Sequence, residues 1–228
     1  MAVDRRRYAC LLLAGALLTG CAERASAPPA TQASAPGAAA WYRQARAAGS
    51  EVLTIDPAAS LIAVTVRRAG PLARLGHDHV VASRTVSGFA APREGRADFQ
   101  FRLDEMTVDE TALRREAGFD TTPDAEAIAG TRANMLTKVL ESQRYPWVAL
   151  HAQRVADDAG RMRLTITLHG VSREVTLPVA IEQTGAGVVA TGSVQLRQSD
   201  FGITPMSVMG GAIRVDDTIE LRFRLEAR

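Results

Sequence analysis

The chain has 228 residues, with 27 Lys and Arg against 25 Asp and Glu, four His and two Cys. Apolar residues make up 46% and charged residues 23%, an ordinary globular balance that excludes disordered, collagenous and multi-span membrane classes. A formal charge of +2 is no nucleic-acid footprint, and two Cys build neither a disulfide framework nor a four-thiolate zinc site.

Arg5, Arg6 and Arg7 precede an apolar run from Ala9 to Leu18, the plan of an export signal over residues 1–20. That run is too short to span a bilayer. Leu18-Thr19-Gly20-Cys21 resembles a bacterial lipobox, in which small residues admit the backbone to a peptidase and the thiol accepts a diacylglycerol. The resemblance implies that Cys21 becomes a lipidated N-terminus. Ala22 and Glu23 follow it in place of the Asp of inner-membrane retention, so the expected location is the periplasmic face, anchored to the outer membrane. Several acyl chains on one residue anchor stably, at roughly 0.8 kcal/mol per buried methylene. The signal carries three of the basic residues and one of the acidic ones, so 24 of each remain and the mature charge is zero. Cys10 leaves with the signal.

Residues 21–50 are the lipidated N-terminus and a tether rich in Ala, Pro and Ser, which cannot bury a core. Near its end Trp41–Ala48 suits a short helix that packs its aromatics on the domain. The domain itself is expected over residues 51–228, and its pattern is mostly period two. Glu51–Ile55 and Leu61–Arg68 are β-rich and flank the turn Asp56-Pro57-Ala58-Ala59. Val80–Ser83, Val86–Ala90 and Ala97–Leu103 follow, with Phe99, Phe101 and Leu103 on one face. Pro123 opens a helical stretch with Asp124 and Glu126 in its first turn, and Ile128, Met135, Leu136, Val139 and Leu140 recur at helical spacing to about Ser142. Strands resume at Trp147–Val155, Met162–His169, Val171–Ile181, Val188–Arg197 and Thr218–Ala227. Leu164, Ile166 and Leu168 alternate with Arg163, Thr165 and Thr167, and the later strands alternate in the same way. Such alternation predicts antiparallel sheet with one wet face, and His169-Gly170 predicts a tight hairpin. Many strands on short turns with one helical excursion favour an all-β closed barrel.

Leu164-Thr165-Ile166-Thr167-Leu168-His169-Gly170-Val171, Ser199-Asp200-Phe201-Gly202-Ile203 and Val215-Asp216-Asp217-Thr218-Ile219-Glu220-Leu221 resemble signatures of the YceI-like family. Leu53-Thr54-Ile55-Asp56-Pro57 resembles its opening strand, and Leu140, Tyr145 and Pro146 its helix-to-strand junction. The resemblance runs from about Val52 to Arg228. It implies a lipocalin-like antiparallel β-barrel that encloses an apolar cavity, and a bound isoprenoid lipid or quinone as ligand. One departure stands out. The family commonly places His in its "D-P-x-H-S" turn and near the end of the next strand. Here those places read Asp56-Pro57-Ala58-Ala59-Ser60 and Arg67-Arg68, and Gly76-His77-Asp78-His79 follows later.

Inward positions that would line a lipid cavity are Ile62, Val64, Phe99, Phe101, Val148, Leu150, Leu164, Ile166, Leu177 and Val179. Taken one by one, they serve equally well as plain core. The lining reading rests on a shortage of bulky fillers, since aromatics are only 5% of the chain. Met206 and Met209 sit in a Gly-rich loop, where thioethers adapt either to a chain-like ligand or to ordinary loop packing. His77 and His79 would share one face of an extended backbone, as a headgroup contact requires, and Arg74 stands nearby with Arg67 and Arg68. Solvated surface is the plain alternative for the arginines, and a turn capped by Asp78 is the plain alternative for the His cluster. A zinc site would need further ligands, and His151 and His169 stand at no motif spacing. No nucleophile elbow, phosphate-cradling Gly loop or mature-chain Cys nucleophile is present, so no catalytic residue is expected. Asp104 and Glu105 read as solvated loop, and Asp200 as a turn former. The expectation is a membrane-tethered lipid-binding module. The alternative is a periplasmic metal- or haem-associated protein using His77 and His79.

Overall fold

The computed structural model describes residues 38–228 except Asp120. The export signal, Cys21 and the tether to residue 37 lie outside the described residues. The chain forms α1 (Ala38–Ala47), β1 (Leu53–Thr54), β2 (Leu61–Ala69), β3 (His79–Ser83), β4 (Ser87–Ala91), β5 (Arg96–Arg102) and β6 (Thr107–Val108). Next come α2 (Thr111–Glu116), α3 (Ala125–Asn134) with a π-helical turn Met135–Val139, β7 (Trp147–Val155), β8 (Asp158–Leu168) and β9 (Val171–Pro178). The chain ends in β10 (Ala180–Thr184), β11 (Gly187–Arg197), β12 (Ser207–Val208) and β13 (Ile213–Ala227).

The strands make two antiparallel sheets, one in the order β1-β4-β5-β7-β8-β9 and the other β10-β11-β13-β2-β3-β6, with β12 on the side of β13. Period-two alternation turns Phe99, Phe101, Leu150, Leu164, Ile166, Leu221 and Leu225 into one shared core between them. Each such side chain contributes about 1.5–3 kcal/mol by burial. This is the lipocalin-like antiparallel barrel expected from the alternation, with one difference. The hydrogen-bond ladder does not run continuously around it. The sheets meet at corners: the Thr54 and Arg228 backbones exchange bonds of 2.8 and 2.9 Å, and Ile55 bridges Ala227. At the other corner the predicted strand Val171–Ile181 breaks at Val179, whose N–H donates to the Gly160 carbonyl at 3.0 Å. Pro178, just before it, has no N–H for a ladder.

Two glycines are demanded by this geometry. His169 and Gly170 have φ of 53° and 75°, the two-residue hairpin turn expected between β8 and β9. Gly88 has φ 154°, and a Cβ there would lie 2.2 Å from the Asp98 carbonyl oxygen. β6, α2 and β12 are too short to show any period and were not legible in the sequence. The last strand starts five residues earlier than its alternation suggests, because a bulge between Val215 and Ile219 interrupts the pattern.

Asp124, expected within the first turn, is instead the residue that caps α3, accepting from the Ala127 N–H at 2.8 Å. The aromatic helix also forms. α1 lays Tyr42, 2% exposed, on the outer face of the first sheet. Its hydroxyl donates to Asp98 at 2.8 Å, and Arg96 and His151 reach the same carboxylate at 2.8 Å each. The Arg96 guanidinium also stacks over Trp41 at 4.3 Å. Burial and the Asp98 carboxylate hold the Tyr42 phenol far above its ordinary range, so it stays a donor. Replacing Tyr42 with Phe removes one bond to a charged acceptor. A loss of about 2 kcal/mol in unfolding free energy is expected, read by chemical denaturation.

Candidate functional site

The space between the sheets is not filled. A cavity of about 100 Å³ lies toward the β4–β5 and β7–β8 turns, and one of about 240 Å³ lies toward α3. Leu150 of β7 and Leu221 of β13 line both, so they form the partition between them. Ile62, Phe99, Leu164, Leu177 and Val179 line the smaller cavity. Val64, Phe101, Val148, Ile166, Met206 and His79 line the larger. Met209, at 68% exposure, is outside both, because the loop that carries it turns outward through Gly210. His77 and Arg74 are also exposed and line neither cavity.

The helical excursion closes the larger cavity. The Leu140 N–H donates to the Met135 carbonyl at 2.9 Å, an i to i+5 bond that widens the last turn. Met135, Val139 and Leu140 thereby join the lining. Arg132 pins this helix to the loop after β5 by bonding the backbone carbonyls of Asp104 and Met106.

His79 is the most polar feature of the lining. Its Nδ1 lies 2.6 Å from Oδ2 of Asp109, whose side chain is fully buried. The Asp109 Oδ1 accepts from the Val80 N–H at 3.0 Å and from Nη1 of Arg114 at 2.6 Å. Arg114 is 3% exposed, and it also donates to the carbonyls of Asp78 and Thr121. Burial would raise the Asp109 carboxyl, but the bonds from His79, Val80 and Arg114 prevail and hold it below the ordinary carboxylate range. His77 stands beside this cluster, its ring centroid 6.3 Å from that of His79. Neither Asp109 nor Arg114 was legible as a site residue. The partners of Asp109 come from 30 residues upstream and five downstream, so no local spacing announces them. Thr131, Asn134 and Gln198, the other polar residues of the lining, were missed for the same reason. Among the described residues no group of three or more His, Cys, Asp or Glu is placed to hold a metal ion.

The carboxylate of the Ser199–Ile203 turn that closes it is Asp217, where Asp200 was expected. Asp217 accepts from the Ser199 N–H at 2.8 Å and its hydroxyl at 2.6 Å, and pairs with Arg197 at 3.0 Å. The bulge in β13 is what brings Asp217 there. Two of the sequence motifs therefore serve the fold by bonding each other.

The sequence model of the YceI-like domain matches residues 53–227. The chain belongs to the YceI-like family. Among solved structures, a polyisoprenoid binding domain from Saccharophagus degradans superposes with a TM-score of 0.54 at 11% identity, over 77% of this chain and 97% of that one. BcnA from Burkholderia cenocepacia superposes with a TM-score of 0.53 at 16% identity, over 75% of this chain and 98% of that one. At these identities the likeness is one of fold. No curated protein matches this chain. The YceI-like match begins at the strand that docks against the C-terminal end of β13, so α1 is an addition in front of the family domain.

Because the folded Asp109 carboxyl ionises below its unfolded value, its contribution to stability is complete above about pH 5 and is lost as pH falls through about 4 and below. Asp109→Asn leaves Arg114 buried without its counter-charge and is expected to cost about 3–5 kcal/mol. Melting temperatures from pH 7 to pH 3 should show the acid loss in the unaltered chain, and a shallower acid slope in the variant.

Proposed function

We propose that this YceI-like chain is a lipid-binding module that sequesters or carries a long-chain isoprenoid-type lipid, a quinone among them, without chemistry on it. The observation that carries this reading is the pair of adjoining apolar cavities inside the barrel, with Leu150 and Leu221 in the lining of both. A flexible unbranched or isoprenoid chain matches that shape, whereas a compact polar metabolite would leave its hydrogen bonds unmet. The polyisoprenoid binding by the S. degradans domain of the same fold supports the choice of ligand class. Each buried methylene adds roughly 0.8 kcal/mol, so affinity should grow with chain length until both cavities are occupied. Tethering through lipidated Cys21 to the periplasmic face of the outer membrane completes the reading, and it would hold the module beside a membrane source of such lipids.

Mass spectrometry of the gently extracted native chain should find a co-purifying isoprenoid lipid. Leu150→Trp, which fills the partition, should abolish that lipid while the circular-dichroism spectrum is kept. Repeated recovery of an empty barrel from the unaltered chain would rule the function out. In cells fed radiolabelled palmitate, the unaltered chain should take up label and Cys21→Ser should not. Equal labelling of both would remove the anchor from the reading.

A further inference from the structure

The larger cavity is lined almost wholly by C–H groups. Its exceptions are His79, Thr131, Asn134 and Gln198, and no Lys, Arg or carboxylate side chain is in its lining. Two guanidinium groups close by are already committed, Arg114 to Asp109, Asp78 and Thr121, and Arg132 to the backbone carbonyls of Asp104 and Met106. A diphosphate placed here would lose its hydration with no cation to replace it. The side-chain N–H of Gln198 is likewise engaged, by the Asp216 carbonyl at 2.8 Å.

His79 differs from the rest, because a buried carboxylate holds its ring in place. The Asp109 carboxylate is an ionised acceptor that takes three hydrogen bonds, so the hydrogen shared at 2.6 Å sits on Nδ1 of the ring. Arg114 and the Val80 N–H keep that carboxylate from turning away. With that hydrogen on Nδ1, the neutral imidazole has Nε2 as its acceptor, on a residue that lines the apolar chamber. A buried carboxylate that fixes one tautomer is the arrangement that gives a histidine a single defined use.

The geometry points to His79 as the residue that selects the headgroup of the bound lipid, through a hydrogen bond from an uncharged hydroxyl to Nε2, as an isoprenoid alcohol or a hydroquinone would supply, and against isoprenyl phosphates. Asp109 and Arg114 are positioning residues for that contact. The inference rests on the lipid-binding reading above and adds the class of headgroup to it. His77 and Arg74, exposed outside the cavity, take no part in the contact.

The test uses the full chain in mild detergent and three probes with one hydrocarbon tail: geranylgeraniol, its methyl ether and its diphosphate. Displacement of an uncharged fluorescent lipid, a fluorophore-labelled isoprenoid ether, reports each affinity. The alcohol should bind about three- to tenfold tighter than the ether, the worth of one hydrogen bond, and the diphosphate should bind more weakly than either. His79→Asn keeps a side-chain N–H for Asp109 and removes Nε2. It should abolish the difference between the alcohol and the ether, both measured on the same variant. The inference is overturned if the diphosphate binds as tightly as the alcohol, or if the preference for the alcohol survives in His79→Asn. Should that variant fail to fold, the order of the three probes on the unaltered chain still decides. Binding of none of the three would overturn the lipid-binding reading itself, whereas tight but indiscriminate binding would overturn only the role of His79.

Discussion

Two inward faces built mostly of Val, Ile and Leu cannot fill the space between the sheets, and the rest of the molecule answers to that shortfall. Aromatics are 5% of the chain, and among the inward positions Phe99, Phe101, Phe201 and Phe223 are the bulky ones. Phe201 is spent in the turn after β11, at 1% exposure. What remains is space continuous in chemistry but divided by Leu150 and Leu221. A core left open in this way gives up dispersion contacts and stability. That sacrifice suits a barrel whose occupant, when bound, supplies the missing contacts.

Charge is placed with equal economy. On the outer face of the first sheet, Asp98 gathers Tyr42, Arg96 and His151 and so fastens α1 to the barrel. Behind the His79 wall of the larger cavity, Asp109 gathers His79, Arg114 and a backbone N–H. Each is a carboxylate with several donors, the condition under which a buried or half-buried charge is tolerated. The two differ in what lies beyond them: solvent and a docked helix in the first case, an apolar chamber in the second. Only the second includes a histidine that lines space a ligand can use.

The family motifs acquire a physical meaning in this setting. Ser199–Ile203 and the Val215–Leu221 segment are far apart in the chain but meet because the β13 bulge swings Asp217 onto the turn. The hairpin at His169-Gly170 is local in its backbone, where both residues adopt positive φ, and the Tyr145 ring packs on it, its centroid 4.5 Å from that of His169. Their recognisability in the sequence therefore reflects folding constraints, and the chemistry of the site sits on other residues.

Alternation along β5, β8 and β13, the start of α3 just after Pro123 and the His169-Gly170 turn were legible in the sequence, because each depends on neighbours within a few residues. The hydrocarbon lining was legible for the same reason: an inward position is set by strand period alone, and all but Met209 of the expected lining residues reach a cavity. The break of the ladder at Val179, the short β6 and α2, and the meeting of His79 with Asp109 and Arg114 were decided by tertiary structure. Those depend on which distant segments the two sheets bring together, and no spacing along the chain encodes that distance.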